Sequence, residues 1–390
     1  MKIVQIKTLH CDAGWRPWTF IKIATDEGLV GWSECTDSHG STRGIAGIVH
    51  DLEGLLLGQD PRATEKLYWD MYRATRQSPG SIIQKALGGI ENALLDLKAK
   101  ALGIPVYELF GGPLRQFIQV YWSHCGTTRA RAAHLVGQKP LESWRDVSEL
   151  GREVVRQGFT ALKTNIVIPG TPPSVFMPGF GKGGSTDQIA TPKIIGAIET
   201  LMGTFREAVG PEVEISLDLN FNFKPEGFIR IGKSLEQFDL MWLEMDCFDP
   251  RALRTVKEAI CIPVCSGENL YAARGYLPYF ETHAMDVAAC DVIWNGLAQS
   301  KKIADLAEIY EMNVAPHNHY SHLATYICAH FCAAIPHARI LEVDIDDVSW
   351  KDELITTVPM IRNGNLEIPS GPGWGADINE EVLKLHPWPR

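Results

Sequence analysis

An α/β fold, a (β/α) barrel behind a smaller α+β unit, is predicted for this 390-residue chain by three observations. Short apolar runs ending in an ionisable residue recur through the last two thirds of the chain. Between them lie amphipathic stretches of helical period. The first hundred residues differ, reading as strands and then helices.

The N-terminal unit starts with strand-like alternation in "KIVQIKTLH" and "TFIKIATDEGLVGWSE", where "DEG" marks a hairpin turn. In "IIQKALGGIENALLDLKAKALGIPVYELFGG", apolar residues recur at three and four until Gly111 and Gly112 stop the pattern. A compact unit ending near Pro113 follows from this order.

The barrel is read from the run ends: Lys163 in "ALKTN", Asp218 in "ISLDLN", Glu244 in "MWLEMD", Glu268 in "VCSGEN", Asp291 in "DVAACD", His317 in "NVAPH" and Glu342 in "RILEVD". From Asp218 onward the steps are 26, 24, 23, 26 and 25 residues. One strand, one helix and two loops fill such a step, and parallel strands need a crossover of that kind. Leucine-rich repeats share the period but not this pattern of varied ionisable ends. In a (β/α) barrel the C-terminal strand ends build the active site. The longer gap after Lys163 is rich in Gly and Pro and reads as a loop over the mouth, either a lid or a surface excursion.

Composition excludes several classes. Hydrophobic residues make up 45% and charged residues 22%, with a formal charge of −10. Neither disorder nor a membrane class fits, and the negative balance disfavours nucleic acid and anionic membranes as partners. The N-terminus alternates and shows no apolar signal region, so a cytoplasmic location is expected. Small molecules remain as partners. Nine scattered cysteines without a C-x-x-C spacing suit reduced thiols better than disulfides or zinc. Cys328 and Cys332, at i and i+4, are expected to pack in a core.

The constellation carries the chemistry. Asp218, Glu244 and Glu268 end three consecutive strands, and carboxylates on strands about 5 Å apart repel unless a cation joins them. All-oxygen ligation points to Mg²⁺, with Mn²⁺ as the alternative. The next two ends put Asp291 beside His317, where an Asp accepting one ring N–H leaves the other nitrogen to exchange protons. His319 and His322 follow that strand end and are expected to serve ordinary polar or packing roles. Lys163 and Asn165 face the barrel interior together. The lysine there is a carboxylate binder, a base, or a salt-bridge partner of the acid cluster.

These residues resemble the enolase superfamily, and within it the mandelate racemase and muconate-lactonising branch. "ENALLDLKAKALGIPVYELFGG" is similar to the helix closing that family's capping domain; "DLN", "WLE", "GEN", "CDVIWNG" and "PH" are similar to its successive strand ends. The likeness spans nearly the whole chain. It implies a modified (β/α)7β barrel over residues 119–358, an α+β capping domain over 1–118, and a C-terminal segment, 359–390, that returns to the cap.

The resemblance further implies Asp218, Glu244 and Glu268 as Mg²⁺ ligands, and Asp291–His317 as the acid/base pair. It implies Glu342 as a hydrogen-bonding partner of the substrate carboxylate, and assembly into a homo-oligomer. It implies that the loops "CDAGWRPW" and "CTDSHGSTRG" close over the substrate, which makes Trp15, Arg16, His39 and Arg43 candidates for specificity. Racemases of the branch carry Lys-x-Lys where this chain reads Lys163-Thr164-Asn165, so a second base is missing and racemisation is demoted. Some acid-sugar dehydratases pair Lys-x-Asn with a histidine at the position of Asn220, also absent here. The expectation is a sugar-acid dehydratase in which His317 both takes the α-proton and protonates the departing 3-hydroxyl. A cycloisomerase or epimerase using Lys163 and His317 on opposite faces is the rival. A non-catalytic sugar-acid-binding barrel is the remote one.

Overall fold

The computed structural model describes residues 1–37, 40–179 and 188–388. The cap begins with an antiparallel sheet of β1 (Ile3–Asp12), β2 (Pro17–Thr25) and β3 (Val30–Glu34). The β2–β3 connection is the hairpin expected at "DEG", with Gly28 at φ +82°. Helices α1 (Thr42–Leu56), α2 (Thr64–Ala74) and α3 (Ser81–Leu102) close over the sheet. Ile3, Ile21, Ile23, Leu52, Met71 and Ile90 form their shared core.

The sequence expected helical periodicity as far as Gly111, but α3 ends at Leu102. Gly103 takes the left-handed conformation at φ +70° and its N–H bonds back to Ala99 and Lys100. Such a cap ends a helix, and only a 3-10 turn over Val106–Phe110 precedes Gly111.

The barrel strands are β4 (Phe117–Ser123), β5 (Ala161–Thr164), β8 (Glu214–Asp218), β9 (Trp242–Glu244), β10 (Val264–Ser266), β11 (Val287–Ala288), β12 (Asn313–Val314) and β13 (Leu341–Asp344). From β4 to β12 they pair in parallel in that order, β13 pairs in parallel with β4, and an isolated parallel bridge joins Val314 to Ala338 between β12 and β13. Two short strands, β6 (Val167–Ile168) and β7 (Ser174–Val175), form a hairpin in the loop after β5. The part of that Gly/Pro-rich loop from 180 to 187 lies outside the described residues.

Helices α4 (Thr127–Ala132), α5 (Trp144–Arg156), α6 (Pro192–Val209), α7 (Pro225–Leu235), α8 (Pro250–Ala259), α9 (Ala272–Glu281), α10 (Val292–Asn295), α11 (Leu297–Ile309) and α12 (His322–Ala334) supply the crossovers. Their starts are written locally. Ser143 and Asp146 make a capping box on α5, and α6, α7 and α8 each begin with proline, which needs no N–H partner there. Cys328 and Cys332 are both buried on α12. Tyr121, Trp242, Cys265, Val287 and Ala315 plug the barrel interior. Among the described residues, no helix is long and apolar enough to cross a membrane.

The C-terminal segment does not go straight to the cap. Strands β14 (Ile361–Arg362) and β15 (Asn365–Glu367) form a hairpin whose second strand pairs antiparallel with β4, Leu366 opposite Ile118. Only then does the chain reach the cap, where the Trp374 indole donates to Trp32 O at 2.8 Å and its N–H to Asp96 at 3.0 Å. A last helix, α13 (Glu380–Leu385), contacts β1.

The cap is joined to the barrel by buried polar contacts. Asn92 accepts from Leu297 N–H at 2.8 Å and donates to Val292 O at 3.2 Å. Glu91 accepts from the N–H groups of Ala298 and Gln299 and from the Gln299 amide, capping the first turn of α11 from another domain. Gly88 permits this approach, because a Cβ there would stand 2.5 Å from Trp294 O.

Candidate active site

The expected strand ends require one correction. Asp218 and Glu244 do end β8 and β9 and are register partners. Glu268, Asp291 and His317, however, lie two or three residues beyond the ends of β10, β11 and β12. Gly267 at φ +113° and Pro316 take the chain out of the ladder just before two of them. Asp291 and His317 still share an isolated parallel bridge, which keeps their side chains adjacent.

A cleft of about 280 Å³ opens at this end of the barrel beneath the cap. Lys163, Asn165, Asp218, Asn220, Glu268, His317 and Glu342 line it, together with Trp15 from the β1–β2 loop.

His317 is held on one side by Asp291. Its Nδ1 lies 2.8 Å from Asp291 Oδ2, and the Tyr320 hydroxyl donates to the same oxygen at 2.6 Å. The other oxygen accepts the Trp294 N–H at 2.8 Å. With Nδ1 committed as donor to a carboxylate, Nε2 is the nitrogen facing the cleft. It stands 3.3 Å from Glu268 Oε2 and 3.1 Å from His319 Nδ1. Burial alone would lower the imidazole pKa; the charges of Glu268, Asp291 and Glu342 outweigh it and raise the value to about 10.

Opposite, the Lys163 ammonium bridges Glu244 at 2.8 Å and Glu342 at 2.9 Å. Burial opposes its charge, yet the two carboxylates hold its pKa well above that of an ordinary lysine. The ion pairs are those of the salt-bridge reading of Lys163.

Glu342 was expected to hydrogen-bond the substrate carboxylate. Within the protein its oxygens accept from Lys163, from the Ser123 hydroxyl and from the Asn318 N–H at 2.9 Å. Despite burial, Lys163 and His317 keep its carboxyl far below the usual range. Glu342 also lines the cleft directly.

The three acids expected to hold a metal are buried or nearly so and repel one another: Asp218 and Glu342 raise the Glu244 pKa beyond the effect of burial, and Asp246, Asp218 and Glu244 do so for Glu268. Among the described residues, no three His, Cys, Asp or Glu side chains converge as a ready-made metal cage. Asp218 accepts from Asn220 and Asn165 at 2.9 and 3.1 Å, Glu244 from Lys163, and Glu268 from Asn269 at 3.1 Å. The donor set nonetheless suits a hard dication, being entirely carboxylate oxygen. Glu244 Oε1 is also buried without a hydrogen-bond partner, a ligand atom still uncommitted.

The cap candidates divide. Trp15 reaches the cleft and stacks on His319, ring centroids 6.2 Å apart and planes 15° off parallel. Arg16 does not: it is buried against Asp347 at 2.8 Å, sandwiched by Trp15 and Trp18, and is a structural ion pair. Arg43 is exposed on α1 beside Trp388 and away from the cleft. His39 lies outside the described residues.

Several lining residues were not foreseen. His319, expected in an ordinary polar or packing role, is a wall of the cleft, whereas His322 bonds Asp352 outside it at 2.7 Å. His124 lines the cleft with Nδ1 2.8 Å from Asp344. Lys85 on α3 pairs with Asp37 at 3.0 Å and lies 3.5 Å over the Trp294 ring. Arg131 lines the cleft beside Met177. His319 had its signal in the histidine-rich stretch after the His317 strand end, and Lys85 lies one helical turn before the Gly88 that touches the barrel; no motif marks His124 or Arg131.

The chain is similar to known proteins over nearly its whole length. The pattern of the enolase C-terminal domain-like family matches residues 146–382, and that of the mandelate racemase/muconate lactonizing enzyme N-terminal domain matches 8–111. A D-xylonate dehydratase of Haloferax volcanii is 29% identical, covering 99% of this chain and 89% of its own. A D-galactonate dehydratase of Xanthomonas campestris pv. campestris is 26% identical, covering 98% and 94%. A crystal structure from Burkholderia xenovorans strain LB400, provisionally named an L-alanine-DL-glutamate epimerase and bound to magnesium and fumarate, is 43% identical with a TM-score of 0.96, covering 99% and 96%.

Proposed function

This chain belongs to the enolase superfamily, in its mandelate racemase and muconate-lactonizing branch, and we propose that it is a Mg²⁺-dependent dehydratase of a sugar acid. The observation that carries the reading is the opposition, across one cleft, of a His317 whose tautomer Asp291 fixes and a Lys163 held as ammonium by two carboxylates. One side can exchange a proton and the other can only stabilise negative charge.

Asp218, Glu244 and Glu268 would hold the dication. When bound it would act as a Lewis acid on the substrate carboxylate. His317 Nε2 takes the proton α to that carboxylate, and Asp291, saturated by three donors, stabilises the imidazolium. Lys163 faces the charge that develops on the carboxylate oxygens, and such preorganised stabilisation is commonly worth about 3 kcal/mol or more. Asn165 and Asn220, which line the cleft, would bind hydroxyls. Loss of the 3-hydroxyl gives an enol and then a 2-keto-3-deoxy acid. The dehydratase relatives support this outcome.

The provisionally named epimerase favours a second reading, in which a base on each face inverts a stereocentre. Lys163 occupies the second face, but its ammonium is bound to Glu244 and Glu342, and Asn165 offers no base. Dehydration therefore takes precedence.

The test is a panel of C4 to C6 aldonic and aldaric acids with Mg²⁺, assayed with semicarbazide for keto product. Conversion that is abolished by EDTA and by His317→Asn is expected. A product of unchanged mass that gives no semicarbazone would replace dehydration by isomerisation, and full turnover by the His317 variant would end the assignment.

A further inference from the structure

The end of β4 carries a second aspartate–histidine pair. Alternation along β4 faces Tyr121 and Ser123 toward the barrel interior, where the Ser123 hydroxyl donates to Glu342, and would send the next side chain, His124, outward. The backbone prevents this. His124 takes the left-handed conformation at φ +47°, and its ring lines the cleft. A residue with a Cβ rarely adopts that conformation, and strain of this kind gathers at functional sites.

The pair is built as Asp291–His317 is. Asp344, the last residue of β13, is the register partner of Ser123 on the neighbouring strand. His124 Nδ1 lies 2.8 Å from Asp344 Oδ1, the separation also found between His317 and Asp291. Arg16 stands 3.7 Å from the other Asp344 oxygen. The histidine side chain is 17% exposed and that of Asp344 2%, so the pair opens on the cleft through the imidazole. With Nδ1 donating to a carboxylate, Nε2 is the nitrogen that can exchange a proton. Trp15 and His319 meet the ring edge-to-face, at centroid separations of 6.3 and 5.6 Å, and fix its plane.

A β-hydroxyl leaves poorly unless it is protonated as the C–O bond breaks. Strand β13 separates β4 from the strand of His317, so the two imidazoles approach a substrate from different points of the rim, one to remove a proton and one to deliver it. We propose that His124 is the general acid that protonates the departing 3-hydroxyl, with Asp344 balancing the charge of its imidazolium. This rests on the dehydratase reading and replaces the single-histidine scheme expected from the sequence.

The steps balance. The C2–H bond breaks, its proton passes to His317 Nε2, and its electron pair moves into the carboxylate as the aci form. That pair returns to make the C2=C3 bond as C3–O breaks, and the oxygen takes the Nε2 proton of His124 to leave as water. His317 then gives one proton to solvent water and His124 takes one from it. Both rings are restored, and no acid or base is consumed.

The test uses whichever panel acid the wild-type protein converts, with Mg²⁺, in D₂O. His124→Asn suits the left-handed backbone and supplies no acidic proton; circular dichroism and the thermal midpoint report that it is folded. Expected is dehydration slowed by about 10²-fold or more, while the recovered acid gains deuterium at C2 because His317 still takes the α-proton. His317→Asn loses both. Fluoride release from the 3-deoxy-3-fluoro analogue, whose leaving group needs no full protonation, should escape most of the deficit. Asp344→Asn keeps the ring and removes its carboxylate; it should show the same division between exchange and dehydration, and it decides the matter if the first variant does not fold. Undiminished dehydration by a folded variant overturns the proposal and leaves the dehydratase reading standing. Exchange and dehydration falling together also overturns it, and makes His124 a substrate-binding residue. A wild type that converts no acid of the panel ends the dehydratase reading, and this inference with it.

Discussion

The Tyr320 hydroxyl donates to Asp291 at 2.6 Å, so the carboxylate that orients the candidate base is itself held by a residue three positions beyond that base. Tyr320→Phe removes one of the three donors on a buried anion. Stability should fall by about 1–2 kcal/mol, and kcat by about tenfold, equivalent to about 1.4 kcal/mol in the barrier. Urea unfolding and steady-state kinetics check the two numbers. An unchanged kcat would confine Tyr320 to packing.

Lys163→Met leaves Glu244 and Glu342 facing one another without their cation. Breaking a buried pair of this kind costs about 3 kcal/mol or more, and losing the ammonium should lower kcat/KM by about 10²-fold or more. If Lys163 were instead a base, the rate of C2 hydrogen exchange would fall in proportion to turnover for one substrate epimer only, which a pair of epimeric acids can reveal.

Glu244→Gln replaces a proposed ligand by a neutral side chain of the same shape. Mg²⁺ affinity measured by titration calorimetry should drop by about 10²-fold, at least the largest loss usual for an outer partner. Equal affinities would remove Glu244 from the ligand set.

Glu91 supplies a pH dependence far from the cleft. Burial pushes its carboxyl up to about 7, against the hydrogen bonds from Gln299 that lower it. The folded protein therefore binds this proton more tightly than the unfolded chain, whose glutamate titrates near about 4.3. Its contribution to stability is complete below about pH 4, declines as pH rises, and is gone above about pH 7, a change on the order of 3 kcal/mol. Glu91→Gln should gain on the wild type as pH rises from 5 to 8 in chemical denaturation; parallel curves would falsify the assignment.

Two helical glycines should respond oppositely to alanine. Gly88→Ala drives a Cβ to 2.5 Å from Trp294 O at the cap–barrel junction, costing about 1–3 kcal/mol and disturbing the turn after Asp291. Gly47 lies inside α1 with nothing within 4 Å of a Cβ, so Gly47→Ala should stabilise by about 0.5–1 kcal/mol. Thermal midpoints of the two variants decide it.

The barrel could be read from the chain because its cause is local. A strand, a turn and a helix have fixed lengths, and the residue leaving each strand is placed by alternation and closure. Hence the run ends located Lys163, Asp218, Glu244, Asp291 and His317 before any coordinates, and the order of strands followed by helices marked the N-terminal unit. Where backbone left the ladder, as at Gly267 and Pro316, the same rule misjudged the strand ends by two or three residues.

Sequence alone thus determined which ionisable groups the barrel strands carry toward the mouth, since covalent spacing and strand periodicity dictate that. Tertiary structure alone decided what each group does there. Arg16 and Trp15 are neighbours in one loop, yet only packing turned the first inward to Asp347 and the second toward His319. Glu34 meets the Ser321 hydroxyl at 2.5 Å across 287 residues, and no local pattern encodes such a partner. Hydrogen bonds and charge interactions act over a few ångströms of space and are blind to separation along the chain, so the partners of each group were settled only when the chain had folded.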